Sequence, residues 1–373
     1  MNTSSVSLTP PPRRSRDAIS LPEIPRNETK RNKYTDTRAG SPHPRAFASE
    51  RERESMASNT APAPAADDEL LHEFGPLLRV YKSGRLERPL VLPPVAPGLD
   101  PSTGVQSKDV DLGAYSARLY LPPTAATTTA KLPVIVYVHG GGFVAESAKS
   151  PNYHRFLNDL ASACPALGVS LDYRLAPEHP LPAAYDDCLD ALRWVLSAAD
   201  PWVAAHGSGL THGDLARVFV AGDSAGANIC HHVAIQPGAA RLGGAVLIHP
   251  WFWGSEAVGE ETTDPAARAR GAGLWMFACP ATTGMDDPRM NPMAPGAPGL
   301  GALACERVMV CTAEGDFLRW RGRAYAEALA AAGKGVELLE TDGEGHVFYL
   351  FKPDCDKAKE MLDRIVAFVN AAP

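Results

Sequence analysis

Ser224 sits in Val218-Phe219-Val220-Ala221-Gly222-Asp223-Ser224-Ala225-Gly226-Ala227-Asn228, where a β-branched apolar run gives way to a helical pattern. Flanked by Gly222 and Gly226, it fits G-x-S-x-G, a tight strand-to-helix turn that lifts a serine oxygen clear of a sheet. Such an oxygen is a candidate nucleophile. Backbone packs so closely around this kind of turn that side chains at either glycine would collide with the neighbouring strand or helix. The following helix, expected from about Ala225 to Gln236, directs its first N–H groups toward the serine and favours negative charge there. Taken alone, the pentapeptide also fits a small-residue turn with a capping serine.

Two other segments offer matching chemistry. His139-Gly140-Gly141-Gly142-Phe143 follows directly on an apolar run. A tetrahedral intermediate carries a full negative charge on the former carbonyl oxygen. Backbone N–H donors fixed in advance hold that charge best, which requires a loop free of side chains. A flexible glycine turn is the plain alternative. A phosphate loop is disfavoured, because neither G-x-G-x-x-G nor a following Lys-Ser/Thr is present. Further on, Asp316 and His346 each fall just after an expected strand, so the chain presents serine, aspartate and histidine in that order. This is the chain order of an α/β-hydrolase triad. In that reading His346 takes the Ser224 proton and later protonates the leaving alcohol, while Asp316 fixes the imidazole tautomer. Glu314 is the competing acid, two residues away. Asp172, Asp286 and Asp287 fall at the wrong places in the order, and Asp342 and Glu344 lie too close to His346 along one loop. His231 and His232 belong to the elbow helix as packing or surface residues, and His179 to a proline-rich loop.

The elements that must position these groups are legible from periodicity. Leu132 to Val138, Ala166 to Leu171, Val218 to Val220, Gly244 to Pro250 and Glu306 to Thr312 are short apolar runs typical of strands covered on both faces. Ser116 to Leu121 and Val336 to Glu340 are further strands. Helices are expected from Tyr185 to Ser197, Arg319 to Ala332 and Asp356 to Asn370. This alternation implies a mostly parallel sheet with helices on both faces. At the N-terminal side, Asp67 to Phe74 has acidic residues in a first turn and an apolar stripe at Leu70, Leu71 and Phe74, which predicts a short amphipathic helix. From Trp251 to Leu300 the alternation breaks down. Its aromatics fit an insertion of short helices over the ligand-binding edge of the sheet, forming a lid with the Asp67 helix, and they fit core packing equally.

Composition excludes several classes. Residues 1–55 carry 11 Lys/Arg against 7 Asp/Glu, whereas the rest carries 25 against 36, so the body is acidic and offers nucleic acid nothing. No apolar run approaches the ~20 residues that cross a bilayer, and no amphipathic anchor is apparent, so no membrane partner is expected. The seven cysteines lack C-x-x-C spacing, which argues against a disulfide framework or zinc site and for a reducing compartment. Residues 1–66 read as a disordered extension and linker ahead of one domain over 67–373, with lid elements over about 67–95 and 251–300. The first 55 residues have no apolar signal region. Their Arg and Ser suit a plastid or mitochondrial transit peptide, but seven acidic residues count against it. The reading we favour starts the natural chain at Met56, with a cytoplasmic location.

His139-Gly140-Gly141-Gly142-Phe143, Asp172 to His179, Gly222 to Asn228 and Gly345-His346-Val347-Phe348, in this order, resemble plant carboxylesterases of the hormone-sensitive-lipase type. The resemblance runs from about Asp67 to the C-terminus. It implies an α/β-hydrolase fold under a helical lid, and an esterase that needs no cofactor or metal and acts on a small-molecule ester. It also implies an oxyanion hole made by the N–H groups of Gly141, Gly142 and Ala225. His139, Gly140, Gly222, Asp223 and Gly226 support the motifs, with Asp223 bracing the elbow. The group also contains gibberellin receptors, which lack the triad histidine, and 2-hydroxyisoflavanone dehydratases, which prefer threonine at the nucleophile position. Some plastid-targeted members act as lyases on sugar esters. His346 and Ser224 therefore point to ester cleavage.

Overall fold

The computed structural model describes residues 68–203, 213–236 and 240–371. The extension expected over 1–66, together with Asp67, lies outside the described residues. Among the described residues eleven strands run in chain order: β1 (Leu70–Phe74), β2 (Leu78–Tyr81), β3 (Leu86–Glu87), β4 (Gln106–Asp111), β5 (Ser116–Leu121), β6 (Leu132–Val138), β7 (Leu167–Asp172), β8 (Gly213–Asp223), β9 (Gly244–Ile248), β10 (Arg307–Ala313) and β11 (Gly335–Thr341). The α-helices are α1 (Pro151–Ala163), α2 (Ala183–Leu196), α3 (Ala225–Ala234), α4 (Pro265–Ala278), α5 (Arg319–Ala331), α6 (Phe348–Phe351) and α7 (Asp356–Asn370).

β4 to β11 form one sheet in the order β11-β10-β9-β8-β6-β7-β5-β4. From β7 to β11 the pairings are parallel; only β5 against β7 and β4 against β5 are antiparallel. All seven residues of β6 are buried, which is why its sequence is continuously apolar rather than alternating. Side chains still alternate between faces. Val134, Val136 and Val138 join the core layer beneath α2, α3 and α5, whereas Ile135 and Tyr137 join the layer beneath α1 and α7. Two apolar layers thus hold the sheet between helices. Among the described residues no helix is long and apolar enough to cross a membrane.

Register brings the chemistry together. Val138 pairs with Gly222, Asp223 with Ile248, and Ala313 with Thr341. Parallel strands all end at the same edge, so the glycine loop after β6, Ser224 after β8, Asp316 after β10 and His346 after β11 share one rim.

The amphipathic helix expected from Asp67 is not formed. Leu70–Phe74 is instead strand β1, paired antiparallel with β2, which in turn pairs with β3. The described acidic residues of this segment pair with cations across the hairpin instead of opening a helix. Glu73 lies opposite Arg79 and accepts from it at 2.8 Å, Glu69 accepts from Lys82 at 3.0 Å, and Asp68 from Arg85 at 3.2 Å. Gly75, at φ +53°, and Pro76 turn the chain after only five strand residues, too soon for a helix to complete. The insertion is also simpler than expected. Its one α-helix, α4, starts at Pro265 behind Asp264, whose carboxylate accepts from the Ala266 N–H at 2.8 Å. Trp251, Phe252, Trp253 and Trp275 are buried in the core layer.

Candidate active site

The elbow is clamped from both sides. Ser224 adopts φ +51°, a conformation non-glycine residues rarely hold without support. The support comes from β9: the Ser224 N–H donates to Ile248 O at 2.9 Å, and the Trp251 N–H donates to Ser224 O at 3.0 Å. A Cβ at Gly226 would lie inside contact distance of the Val138 and His139 carbonyl oxygens, and one at Gly222 would collide with Val138 O and the Gly226 backbone. Only glycine lets α3 start this close to β6.

Above Ser224, the His346 Nε2 lies 2.9 Å from Ser224 Oγ and the His346 Nδ1 lies 2.7 Å from Asp316 Oδ2. With Nδ1–H donating to the carboxylate, Nε2 is left to accept the hydroxyl proton. Burial pushes the Asp316 carboxyl up. The hydrogen bond from His346 and its neighbouring charge outweigh this and leave it below its ordinary value, with Leu318 N–H donating to its other oxygen at 3.0 Å. The loops after β10 and β11 are zipped together by Glu314 N–H to Thr341 O at 2.9 Å and Gly315 N–H to Glu344 O at 2.8 Å. A hydroxyl, an imidazole and a buried carboxylate joined in this way can activate the hydroxyl as a nucleophile.

The glycine loop lies against the elbow through Asp223. The Asp223 carboxylate accepts from Tyr137 OH and Tyr153 OH, each at 2.9 Å, and from the Gly140 N–H at 3.1 Å. Burial lifts this carboxyl to about 6, against the pull of the two tyrosine hydroxyls. His139 is buried and stacked on Tyr173, their ring centres 4.3 Å apart, with Nδ1 2.9 Å from Gly140 O. Gly141 and Gly142 have φ of +93° and +64°. Among the described residues, the amides of Gly141, Gly142 and Ala225 donate to no carbonyl or side chain, the last because a helix N-terminus leaves its first N–H groups free.

A family model described as the alpha/beta hydrolase fold matches residues 135–350, more than half of the chain. This chain belongs to the α/β hydrolase fold family. It is 44% identical over 333 residues to tuliposide A-converting enzyme 2, chloroplastic, of Tulipa gesneriana, covering 85% of this chain and 83% of that one. It is 42% identical over 308 residues to probable carboxylesterase 2 of Arabidopsis thaliana, covering 80% and 96%. It is 43% identical over 336 residues to 2-hydroxyisoflavanone dehydratase of Glycyrrhiza echinata, covering 84% and 100%. The resemblance to plant carboxylesterases therefore extends over most of the chain.

In this α/β hydrolase five of the rival acids are engaged elsewhere. Glu314 is exposed and accepts from the Gly343 N–H at 2.7 Å, so it braces the loop that carries His346. Asp172 binds Ser147 and Lys149, Asp286 binds Ser255 and Asn291, Asp287 binds Arg289, and Glu344 binds Lys352. His179 is exposed, His231 is buried against Tyr325 OH at 2.8 Å, and His232 lies beside Gln236.

Sequence reasoning missed His249. It follows β9 as Ser224 and Asp316 follow their own strands, and that position was the available signal. Its Nδ1 accepts from the Val347 N–H at 2.8 Å, and its ring centre lies 5.8 Å from that of His346. Burial drives its pKa down to about 3, so it acts as a neutral prop for the histidine loop. His249, Asp316 and His346 offer donor atoms within 4.8 Å of one another. Both nitrogens of His346 and one of His249 are already bonded, so this set does not fit a resident metal ion.

Ser224 and His346 open into a cavity of about 330 Å³. Its walls are mostly apolar: Pro76 and Leu77 from the β1–β2 turn, Leu90 after β3, Trp251 after β9, Leu274 from α4 and Phe317.

Proposed function

We propose that this protein is a serine carboxylesterase that cleaves small carboxylic esters through an acyl-enzyme. The observation carrying this reading is the unbroken relay from Ser224 Oγ through His346 to Asp316, at 2.9 and 2.7 Å, beside unoccupied backbone amides. Ser224 Oγ attacks the ester carbonyl carbon while His346 Nε2 takes its proton. The charge that moves onto the carbonyl oxygen faces the N–H groups of Gly141, Gly142 and Ala225. Asp316, held ionised, steadies the imidazolium. Collapse expels the alcohol, which receives the proton from His346, and leaves the acyl group on Ser224. A water molecule, deprotonated by His346, then attacks the acyl carbon and releases the acid. Residues 68–95 and 251–300, which contribute Leu77, Leu90 and Leu274 to the cavity, act as its lid.

The relative's name makes dehydration of a flavonoid-like substrate a competing reading, and a threonine nucleophile would favour it. Ser224 favours hydrolysis. A receptor role is disfavoured by the presence of His346. The test is turnover of p-nitrophenyl acetate and butyrate by the purified protein, with adduct mapping by a serine-directed phosphonate. Labelling of Ser224 and loss of turnover in Ser224→Ala and His346→Ala are expected. Saturable ligand binding with no turnover in the unaltered protein would replace this reading with the receptor. The tulip relatives are named as chloroplastic or amyloplastic, which favours plastid delivery by the N-terminal segment over the cytoplasmic start at Met56. Fluorescent fusions of the whole chain and of a chain starting at Met56 should then differ in location.

A further inference from the structure

One wall of the cavity is out of keeping with the others. Glu146 lines the same space as Ser224 and His346, at φ +73°, and its Cβ stands directly over Gly141, 3.1 Å from where a Cβ there would lie. Its carboxylate has no ion-pair partner among the described residues. Ser150 lies beside it and offsets its burial only in part, and among the described residues the buried Ser150 hydroxyl makes no hydrogen bond to it. Burial raises the Glu146 carboxyl above its ordinary value. Asn152, from the first turn of α1, lines the same wall. The reaction uses neither residue.

A half-buried carboxylate without a partner carries an uncompensated desolvation cost, and in a binding cavity a ligand is the natural source of compensation. A group that donates hydrogen bonds can supply it, whereas an anion would add repulsion. We infer that Glu146, with Asn152 beside it, selects esters bearing a hydrogen-bond donor, a hydroxyl or a protonated amine, on the portion bound along the Gly141 side, and rejects esters bearing a free carboxylate. This rests on the esterase reading of the same site and adds a substrate class to it. Glu146 makes no bond to the reacting atoms in this role; it positions and discriminates.

Two matched ester series test it. In one the acyl group is butanoyl, β-hydroxybutanoyl, dimethylaminobutanoyl or hemisuccinyl; in the other the same variation is placed on the alcohol. In at least one series kcat/KM should favour the donor-bearing ester over the plain one by about tenfold or more. Glu146→Leu should abolish that ratio and relieve the discrimination against the carboxylate-bearing ester. Glu146→Gln separates the two donor types: a hydroxyl preference survives in part, whereas an ammonium preference is lost. Asn152→Leu, which leaves Glu146 in place, should weaken the hydroxyl preference and supplies a readout should Glu146→Leu fail to fold. Equal ratios in both series, or ratios unchanged in Glu146→Leu, would overturn the inference while leaving the esterase standing. Calorimetric binding of the same esters to Ser224→Ala separates the two failures. Donor preference there without turnover in the unaltered protein would sink the esterase and keep the role of Glu146.

Discussion

The floor and the roof of the cavity are built in opposite ways. The floor is held mainly through backbone: Ser224 is tied by its own amide and carbonyl to Ile248 of β9 and to Trp251 just after it, the Asp316 and His346 loops are zipped by main-chain bonds, and the Gly140 N–H donates to the Asp223 carboxylate. The roof is side chain. Phe74 of β1 rests on Phe277 of α4 with ring centres 4.9 Å apart, and Arg88 after β3 reaches across to Glu178 with bonds of 2.9 and 2.6 Å. The loop leading to α4 is pinned where Glu261 is buried between Arg268 and Arg321, at 3.0 and 2.8 Å. In the proposed esterase, reactivity would rest on strand topology, which tolerates little change, and selectivity on side chains that can be exchanged without moving a strand.

The sharpest way to break this contrast is at the floor. Asp316→Asn should lower kcat about 10⁴-fold with little change in KM, measured on p-nitrophenyl butyrate, because the imidazole loses its tautomer and its counter-charge. An equal fall from any roof substitution would erase the distinction. Next in size is the pin of the roof. Glu261→Gln leaves two buried guanidinium groups facing each other and should cost about 3–5 kcal/mol in urea unfolding. A cost below about 1 kcal/mol would mean that the roof is not held there.

Acid should act on the floor through buried histidines. His231 and His249 have folded pKa values pushed down to about 3 by burial, against about 6.5 unfolded. The unfolded chain therefore binds more protons below about pH 6.5. The stability of the neutral forms is fully present above that value and is lost as pH falls toward 3, at about 2–3 kcal/mol each by pH 4.5. Asp223 works in the other direction. Its folded value of about 6 lies above the unfolded one, so its contribution is present at low pH and is lost as pH rises through 6. With His232, which burial pushes down to about 4, three histidines against one aspartate leave a net loss on acidification between pH 6 and 4.5, and urea midpoints over that range should fall less steeply in His231→Gln. The smallest effect belongs to the roof surface. Leu77→Ala or Leu274→Ala should alter the preference among acyl-chain lengths by less than about tenfold and leave kcat on acetate esters within about threefold, because each removes only partly buried apolar area.

The strands were legible because they are buried on both faces. Leu132–Val138 has the same bounds in the sequence reading and in the fold. The helix ending at Asn370 was legible because its burial repeats every three to four residues, at Ala358, Met361, Ile365, Phe368 and Val369. The helix α1 went unread behind Pro151 and the polar residues that follow it, although Tyr153, Phe156, Leu157 and Leu160 form its buried face. The first strand was misread because Leu70 and Leu71 are exposed, so their apolar spacing records no core. Acidic residues at a helix start and acidic residues facing cations across a hairpin look alike until the partner strand is known.

For this protein, the sequence alone determined which groups could react and the order in which strand ends would present them, because strand burial and glycine-lined turns are local properties of the chain. Only the tertiary structure decided that Asp316 rather than Glu314 meets His346, that His249 props the histidine loop, and that Glu146 faces the same cavity as Ser224. Those outcomes depend on register between strands far apart in sequence and on which side chains a closed cavity leaves unpaired. No local pattern records either one.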